Sequence, residues 1–194
     1  MIKAVIFDWS GVLCDDLEAV YSADMAVFEA FGLQKLSIEE YKQVIELPWT
    51  EFYRKRGITD FKGIEQVFVK AFSGNKPVGP MPGAVETLQQ LDRKGIRMAV
   101  LSAKSRQFLQ QECRQFGFDR FIGALESRND KRETVDDLVE RLGAERESVL
   151  FVGDMVHDVE TARHAGIKSV AVLSGYTPRE KVLAAKPDYM IEKI

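Results

Sequence analysis

MIKAVIFDWSGVL, residues 1–13, carries the reading that decides the fold. The apolar run Lys3–Phe7 stops on Asp8, and Gly11 follows within three residues. A strand that is apolar on both faces belongs inside a covered parallel sheet, and it delivers the acid at its C-terminal end. Working outward, Arg97–Leu101, Phe121–Ala124, Val149–Val152, Ser169–Val172 and a short Tyr189–Ile191 read as further strands. Between them lie helical patterns over Ala84–Lys94, Arg106–Phe116 and Glu133–Leu142, each ending beside a glycine (Gly95, Gly117, Gly143) suited to a left-handed C-cap. The alternation predicts a doubly wound parallel α/β core with the first strand near the middle.

The interval from Asp15 to Lys76 breaks that rhythm. Leu17, Val20, Tyr21, Phe28 and Phe31, then Ile64, Val67, Phe68 and Ala71, recur at helical spacing without convincing strands. Ser37 with Glu40 forms a capping-box signal, and Gly74–Pro82 has the composition of a return linker. The expected organisation is a core of residues 1–14 and 77–194 with an all-helical insertion at 15–76.

With 194 residues, 45% of them hydrophobic, the chain has room for one core plus a modest insertion. Its 27 basic and 30 acidic residues leave a net charge of only -3, which favours neither nucleic acid nor a membrane surface as partner. A small diffusible substrate is expected, with the protein a monomer or homodimer. Cys14 and Cys113 lack metal or disulfide spacing and read as buried thiols in a reducing, cytoplasmic setting. The apolar stretch broken at Asp8 reads as neither signal peptide nor membrane span.

Four segments stand at the C-terminal ends of predicted strands: FDWSGVL (7–13), LSAKS (101–105), Asp130-Lys131, and VGDMVHD (152–158). Singly each is weak; their order and spacing form the signal. Together they resemble the four motifs of the haloacid dehalogenase-like hydrolase superfamily, in its phosphoglycolate phosphatase and β-phosphoglucomutase-like branch with a helical cap after the first motif. The resemblance covers nearly the whole chain. It implies that Asp8 attacks phosphorus and forms an aspartyl-phosphate, which water then cleaves. It further implies that Ser102, with Ala103, binds the phosphoryl oxygens and that Lys131 neutralises charge between Asp8 and the phosphate. Magnesium would be held by Asp8, Asp154 and the main-chain carbonyl of Ser10, with Asp158 supporting the metal shell or Lys131.

Elementary electrostatics agrees with these roles. A carboxylate approaching an anionic phosphoryl group needs a cation between them, and a hard, oxygen-liganded magnesium ion suits. Lysine adds a point charge, and a hydroxyl and backbone amides at a strand end can hold equatorial oxygens. Each residue also has a plainer reading. Asp8, Ser102 and Lys131 are residue types that open turns and helices, and Asp158 could simply favour a helix N-terminus. His157 and His164 read as surface or loop residues, and Asp15 and Asp16 as the lead into the first cap helix.

One position departs from the pattern. The third residue of the first motif is usually a second aspartate that protonates the leaving group and later deprotonates water; here it is Ser10. A hydroxyl does not change protonation near neutral pH, and general acid–base catalysis is typically worth about 10²–10⁴ in rate. The expectation is a magnesium-dependent phosphohydrolase of a small phosphorylated metabolite, slow or selective for a good leaving group. The alternatives are a phosphonatase-like C–P hydrolase, or a non-catalytic relative that binds a phosphate ligand. The first needs a cap lysine, and Glu46–Tyr53 contains none, with Lys42 and Lys55 only flanking it. Dehalogenation is disfavoured because it does not need the magnesium carboxylates. Trp49, Arg54, Lys55 and Arg56 are candidates to read the leaving group; equally, Trp49 and Phe52 could be cap core and the basic cluster a solvated face.

Overall fold

The computed structural model describes residues 1–75 and 77–194, so Lys76, the expected end of the insertion, lies outside the described residues. In chain order the elements are β1 (Ala4–Phe7), β2 (Cys14–Asp15), α1 (Leu17–Ala30), α2 (Ile38–Val44), α3 (Trp49–Arg54) and α4 (Phe61–Ser73). Then come β3 (Gly79–Pro80), α5 (Ala84–Arg93), β4 (Arg97–Ser102), α6 (Arg106–Gln115) and β5 (Ile122–Ser127). The chain ends with α7 (Val135–Leu142), β6 (Val149–Gly153), α8 (Val156–His164), β7 (Lys168–Val172), α9 (Arg179–Ala184) and β8 (Tyr189–Ile191).

Six strands form one parallel sheet in the order β5-β4-β1-β6-β7-β8, which puts β1 inside it between β4 and β6. Strand periodicity then divides the core into two. Val5 and Phe7 of β1, with Met98 and Val100 of β4, pack under Ala84 and Leu88 of α5 and Leu109 and Cys113 of α6. Ala4 and Ile6, with Ala99 and Leu101, face Val135, Leu138, Val139 and Leu142 of α7 and Ala162 of α8. Because both faces are covered, these strands are apolar throughout rather than alternating. The predicted C-cap at Gly143 is present, with φ 57° immediately after Leu142.

Residues 17–73 are helical wherever they are regular, and they have their own core of Phe28, Tyr41, Phe52, Tyr53 and Ile64. The Ser37–Glu40 capping box forms as read, with Ser37 Oγ accepting from Glu40 N at 3.2 Å and Glu40 Oε2 from Ser37 N at 2.7 Å. The expected linker 74–82 is not all loop: β3 pairs antiparallel with β2, joining the entry and exit of the insertion in a two-stranded ribbon. Among the described residues no helix is long and apolar enough to cross a membrane.

Candidate active site

The sheet order brings the ends of β1, β4 and β6 side by side, with the turn after β5 beside them. Asp8 leaves β1 with its amide bonded to the Val152 carbonyl at 2.8 Å, and it is 3% exposed. Its Oδ1 accepts from Trp9 N at 2.6 Å, and its Oδ2 lies 2.8 Å from Lys131 Nζ. Lys131 is fully buried on a 3-10 turn over Lys131–Glu133 and places the same ammonium 2.6 Å from Asp158 Oδ1. Asp158 is fully engaged, because its Oδ2 accepts from the amides of Asp154 (3.1 Å) and Met155 (2.9 Å). It thus anchors the lysine and pins the start of α8.

Asp154 completes the cluster. Its Oδ2 accepts from the Tyr176 amide, whereas its buried Oδ1 has no hydrogen-bond partner. Asp8, Asp154 and Asp158 each offer a carboxylate oxygen within 4.8 Å of the others. Crowding three acids under one lysine has electrostatic consequences. Burial and then the neighbouring Asp158 raise Asp8 to about 6 against the pull of Lys131. Burial, followed by Asp8 and Asp158, pushes Asp154 well above the usual carboxylate range. Burial alone would lower Lys131, but Asp158 and Asp8 outweigh it and hold the ammonium charged. An unpartnered buried carboxylate oxygen facing two further acids is a donor set for a hard divalent cation. The acids present therefore fit a hard divalent cation such as magnesium.

Two glycines make room for this arrangement. At Gly175 a Cβ would stand 2.1 Å from Asp154 Oδ2, and at Gly11, where φ is +74°, 2.6 Å from the same oxygen. Ser102 ends β4, is 2% exposed, and accepts from Lys104 N at 3.2 Å. Ser102 and the half-buried Ala103 line a cavity of about 460 Å³ beneath the cap, together with Asp8 and Ser10. Every site residue expected from the sequence therefore borders this cavity or the buried cluster beside it.

The structure adds residues that the sequence reading placed elsewhere. Asp16 is not only the lead into α1. It is 2% exposed, and its Oδ2 accepts from Ser10 Oγ at 2.7 Å and from Lys104 Nζ at 2.9 Å. Its Oδ1 accepts from Tyr176 OH at 2.9 Å. Lys104 also reaches Glu112 Oε2 at 2.6 Å, which accepts from Trp9 Nε1 at 2.7 Å. Cys14, Asp16 and Glu112 have metal-like spacing, but the Lys104 ammonium is their cation. The available signal was the Asp15-Asp16 pair so close to Asp8; nothing local distinguished the buried member.

His157 is a correction. It is 3% exposed on α8, not on the surface or in a loop, because α8 packs this face against the Lys131 turn. Its Nε2 accepts from Lys131 N at 3.2 Å, and burial followed by the Lys131 charge lowers it to about 4, so the ring is neutral. His164 is half exposed at the end of the same helix. Of the cap candidates, Trp49 and Tyr53 line the cavity while Phe52 is cap core. Arg54, Lys55 and Arg56 do not line it.

A parallel sheet with a buried acid–lysine cluster at its strand ends, covered by an inserted helical segment, defines a Rossmann-like α/β protein with a helical cap. Residues 5–172 match the model of the haloacid dehalogenase-like hydrolase family, and the chain belongs to that family. It is 27% identical to phosphoglycolate phosphatase of Synechococcus elongatus, over 98% of this chain and 93% of that protein. It is 25% identical to pyrophosphatase PpaX of Halalkalibacterium halodurans, over 100% and 94% respectively. A haloacid dehalogenase-like family hydrolase from Streptococcus pneumoniae superposes with a TM-score of 0.84 at 17% identity, covering 99% of this chain and 94% of that one, a likeness of fold.

Proposed function

We propose that the protein is a magnesium-dependent phosphohydrolase that acts on a small phosphorylated metabolite through an aspartyl-phosphate on Asp8. The observation that carries this reading is the buried Asp8 carboxylate held by Lys131 beside the unpartnered Oδ1 of Asp154. The named relatives, a phosphoglycolate phosphatase and a pyrophosphatase, support phosphate chemistry.

In this reading the phosphoryl group sits at the strand ends, with oxygens against the Ser102 hydroxyl, the backbone at Ala103 and the Lys131 ammonium. Asp8, Asp154 and the Ser10 carbonyl would hold magnesium, whose charge would let two anions approach and would offset charge on the phosphoryl oxygens. A carboxylate oxygen of Asp8 forms the bond to phosphorus as the bond to the ester oxygen breaks, and the leaving oxygen takes its proton from water, because Ser10 supplies no acid there. Water then attacks the phosphorus as its bond to Asp8 breaks, passes a proton to solvent, releases inorganic phosphate and regenerates the carboxylate. With Asp8 near 6, the nucleophile is mostly ionised at neutral pH. Asp158 acts as a positioning residue, holding Lys131 at one end and the Asp154 backbone at the other. The cap covers the reacting groups and limits water.

The test is steady-state hydrolysis of a panel of phosphate esters with magnesium. Asp8→Asn should lower turnover by about a thousandfold or more. Equal turnover by both proteins would remove Asp8 as nucleophile. The second reading, a phosphate-binding module without turnover, is favoured by Ser10 alone; it predicts phosphate binding by the wild type with no Asp8-dependent hydrolysis of any ester. A C–P hydrolase would need Lys42 or Lys55 in the cavity; neither lines it, and Lys55 pairs with Glu46 at 2.6 Å.

A further inference from the structure

The cavity beneath the cap holds few positive charges. Arg54 pairs with Glu51 and lies 5.3 Å from the centre of the Phe61 ring, while Lys55 pairs with Glu46. Arg56 stacks over Phe52 at 3.8 Å and donates to the Phe52 carbonyl at 2.6 Å. Lys55 and Arg56 border a different cavity, against α8 and α9. Among the described residues the cap therefore sends no cation toward the leaving-group side. The core sends two, Lys104 and Arg128. Lys104 is already neutralised between Asp16 and Glu112, and Arg128 is exposed and donates to the Ser127 carbonyl at 3.0 Å.

Away from Asp8, the apolar part of the lining is Val20, Ile45, Leu47, Trp49, Phe68 and Phe108, with Tyr41, Tyr53, Ser105 and Asn129 as neutral polar members. Its charged members are mainly acidic, with Asp24, Glu65 and Glu133 on the lining. A carboxylate or second phosphate placed here would lose water and meet like charge, with the exposed Arg128 as the one lining cation, among the described residues, that no acid already neutralises. An apolar group would gain by burial.

We infer that the substrate is a phosphate monoester of an uncharged, largely apolar alcohol, of aryl or arylalkyl type, and not a phosphorylated carboxylic acid or pyrophosphate. This rests on the phosphohydrolase reading above and narrows it: Asp8 and its neighbours handle the phosphoryl group, and the cap selects by excluding charge.

The experiment compares kcat/KM for benzyl phosphate and phosphoglycolate, both esters of primary alcohols, with pyrophosphate and Asp8→Asn alongside. Benzyl phosphate should be preferred by at least about tenfold, the scale on which an apolar pocket discriminates. Val69→Arg, which adds a cation to the half-buried lining of α4, should shift the ratio toward phosphoglycolate by about tenfold. Asp8-dependent hydrolysis that favours phosphoglycolate or pyrophosphate, or shows no preference, overturns the inference and leaves the phosphohydrolase reading intact. If no ester is turned over, or Asp8→Asn is as active as wild type, the phosphohydrolase reading fails. Calorimetric binding of benzylphosphonate against 3-phosphonopropionate by the wild-type protein then decides the cavity's preference. Tighter benzylphosphonate binding supports it, and equal or weaker binding overturns it.

Discussion

Ser10 and Asp16 share one hydrogen bond of 2.7 Å, and that contact changes what a substitution at either position can do. Restoring an acid by Ser10→Asp alone would set a second carboxylate against Asp16, and like charges at such range repel and disturb the Lys104 pairing. The expected outcome is therefore no gain in monoester turnover from Ser10→Asp. The double change Ser10→Asp with Asp16→Ser exchanges carboxylate and hydroxyl across the same bond. It should raise kcat by about tenfold or more, read at saturating ester and magnesium. A gain from the single change would show that Asp16 moves away. Lys131 poses the complementary case, since its ammonium is the shared partner of Asp8 and Asp158. Lys131→Met would leave both acids buried without a counter-ion, and urea unfolding should show a loss of about 3–5 kcal/mol.

At the scale of elements, α1 carries an acid away from the strand ends: Asp24, which accepts from Tyr41 OH and Tyr53 OH at 2.5 Å each and is 5% exposed. Burial raises it from 3.8 to about 6 even though both phenols and Arg56 favour the ionised form. The folded protein thus holds this proton more tightly than the unfolded chain. The penalty for ionising Asp24 is full above about pH 6, shrinks as pH falls, and is gone below 3.8. That interval corresponds to about 3 kcal/mol. Asp24→Asn keeps partners for both phenols without the charge, so its Tm should gain less than wild type between pH 7 and pH 4. Parallel melting curves would rule out the buried ionisation. Tyr41 and Tyr53 come from α2 and α3, which explains why no reading of α1 alone found this cluster. The elements themselves were legible, because apolar strands and glycine-terminated helices are written in consecutive residues. The β2–β3 ribbon was not, since two residues a side leave no periodicity to read.

Over the whole molecule, sheet order explains which parts of the site the sequence revealed. Asp8 and Asp154 sit just past a strand, Ser102 ends one and Lys131 follows the turn after β5, so recognising the strands also located them. Asp16, Lys104, Glu112 and Tyr176 come together only because segments after β2, β4 and β7 meet α6, a convergence of residues up to 160 positions apart. His157 was misread for the same reason: its burial depends on the Lys131 turn packing against α8. This long-range assembly also sets the response to metal. Asp8 and Asp154 follow strands separated by most of the chain, so an ion bound between them would stabilise the folded state and have no comparable site in the unfolded one. At a hundredfold excess over Kd, linkage gives about 2.7 kcal/mol. For a chain of this length each kcal/mol moves Tm by about 2–4 °C. Magnesium should therefore raise Tm by about 5–10 °C in wild type. Asp154→Asn should raise the metal-free Tm, by relieving a buried acid, while abolishing the magnesium increment. Gly175→Ala, which drives a methyl into the Asp154 carboxylate, should lower the metal-free Tm and also shrink the increment. A magnesium increment retained in Asp154→Asn would place the ion elsewhere and separate the metal site from the Asp8 cluster.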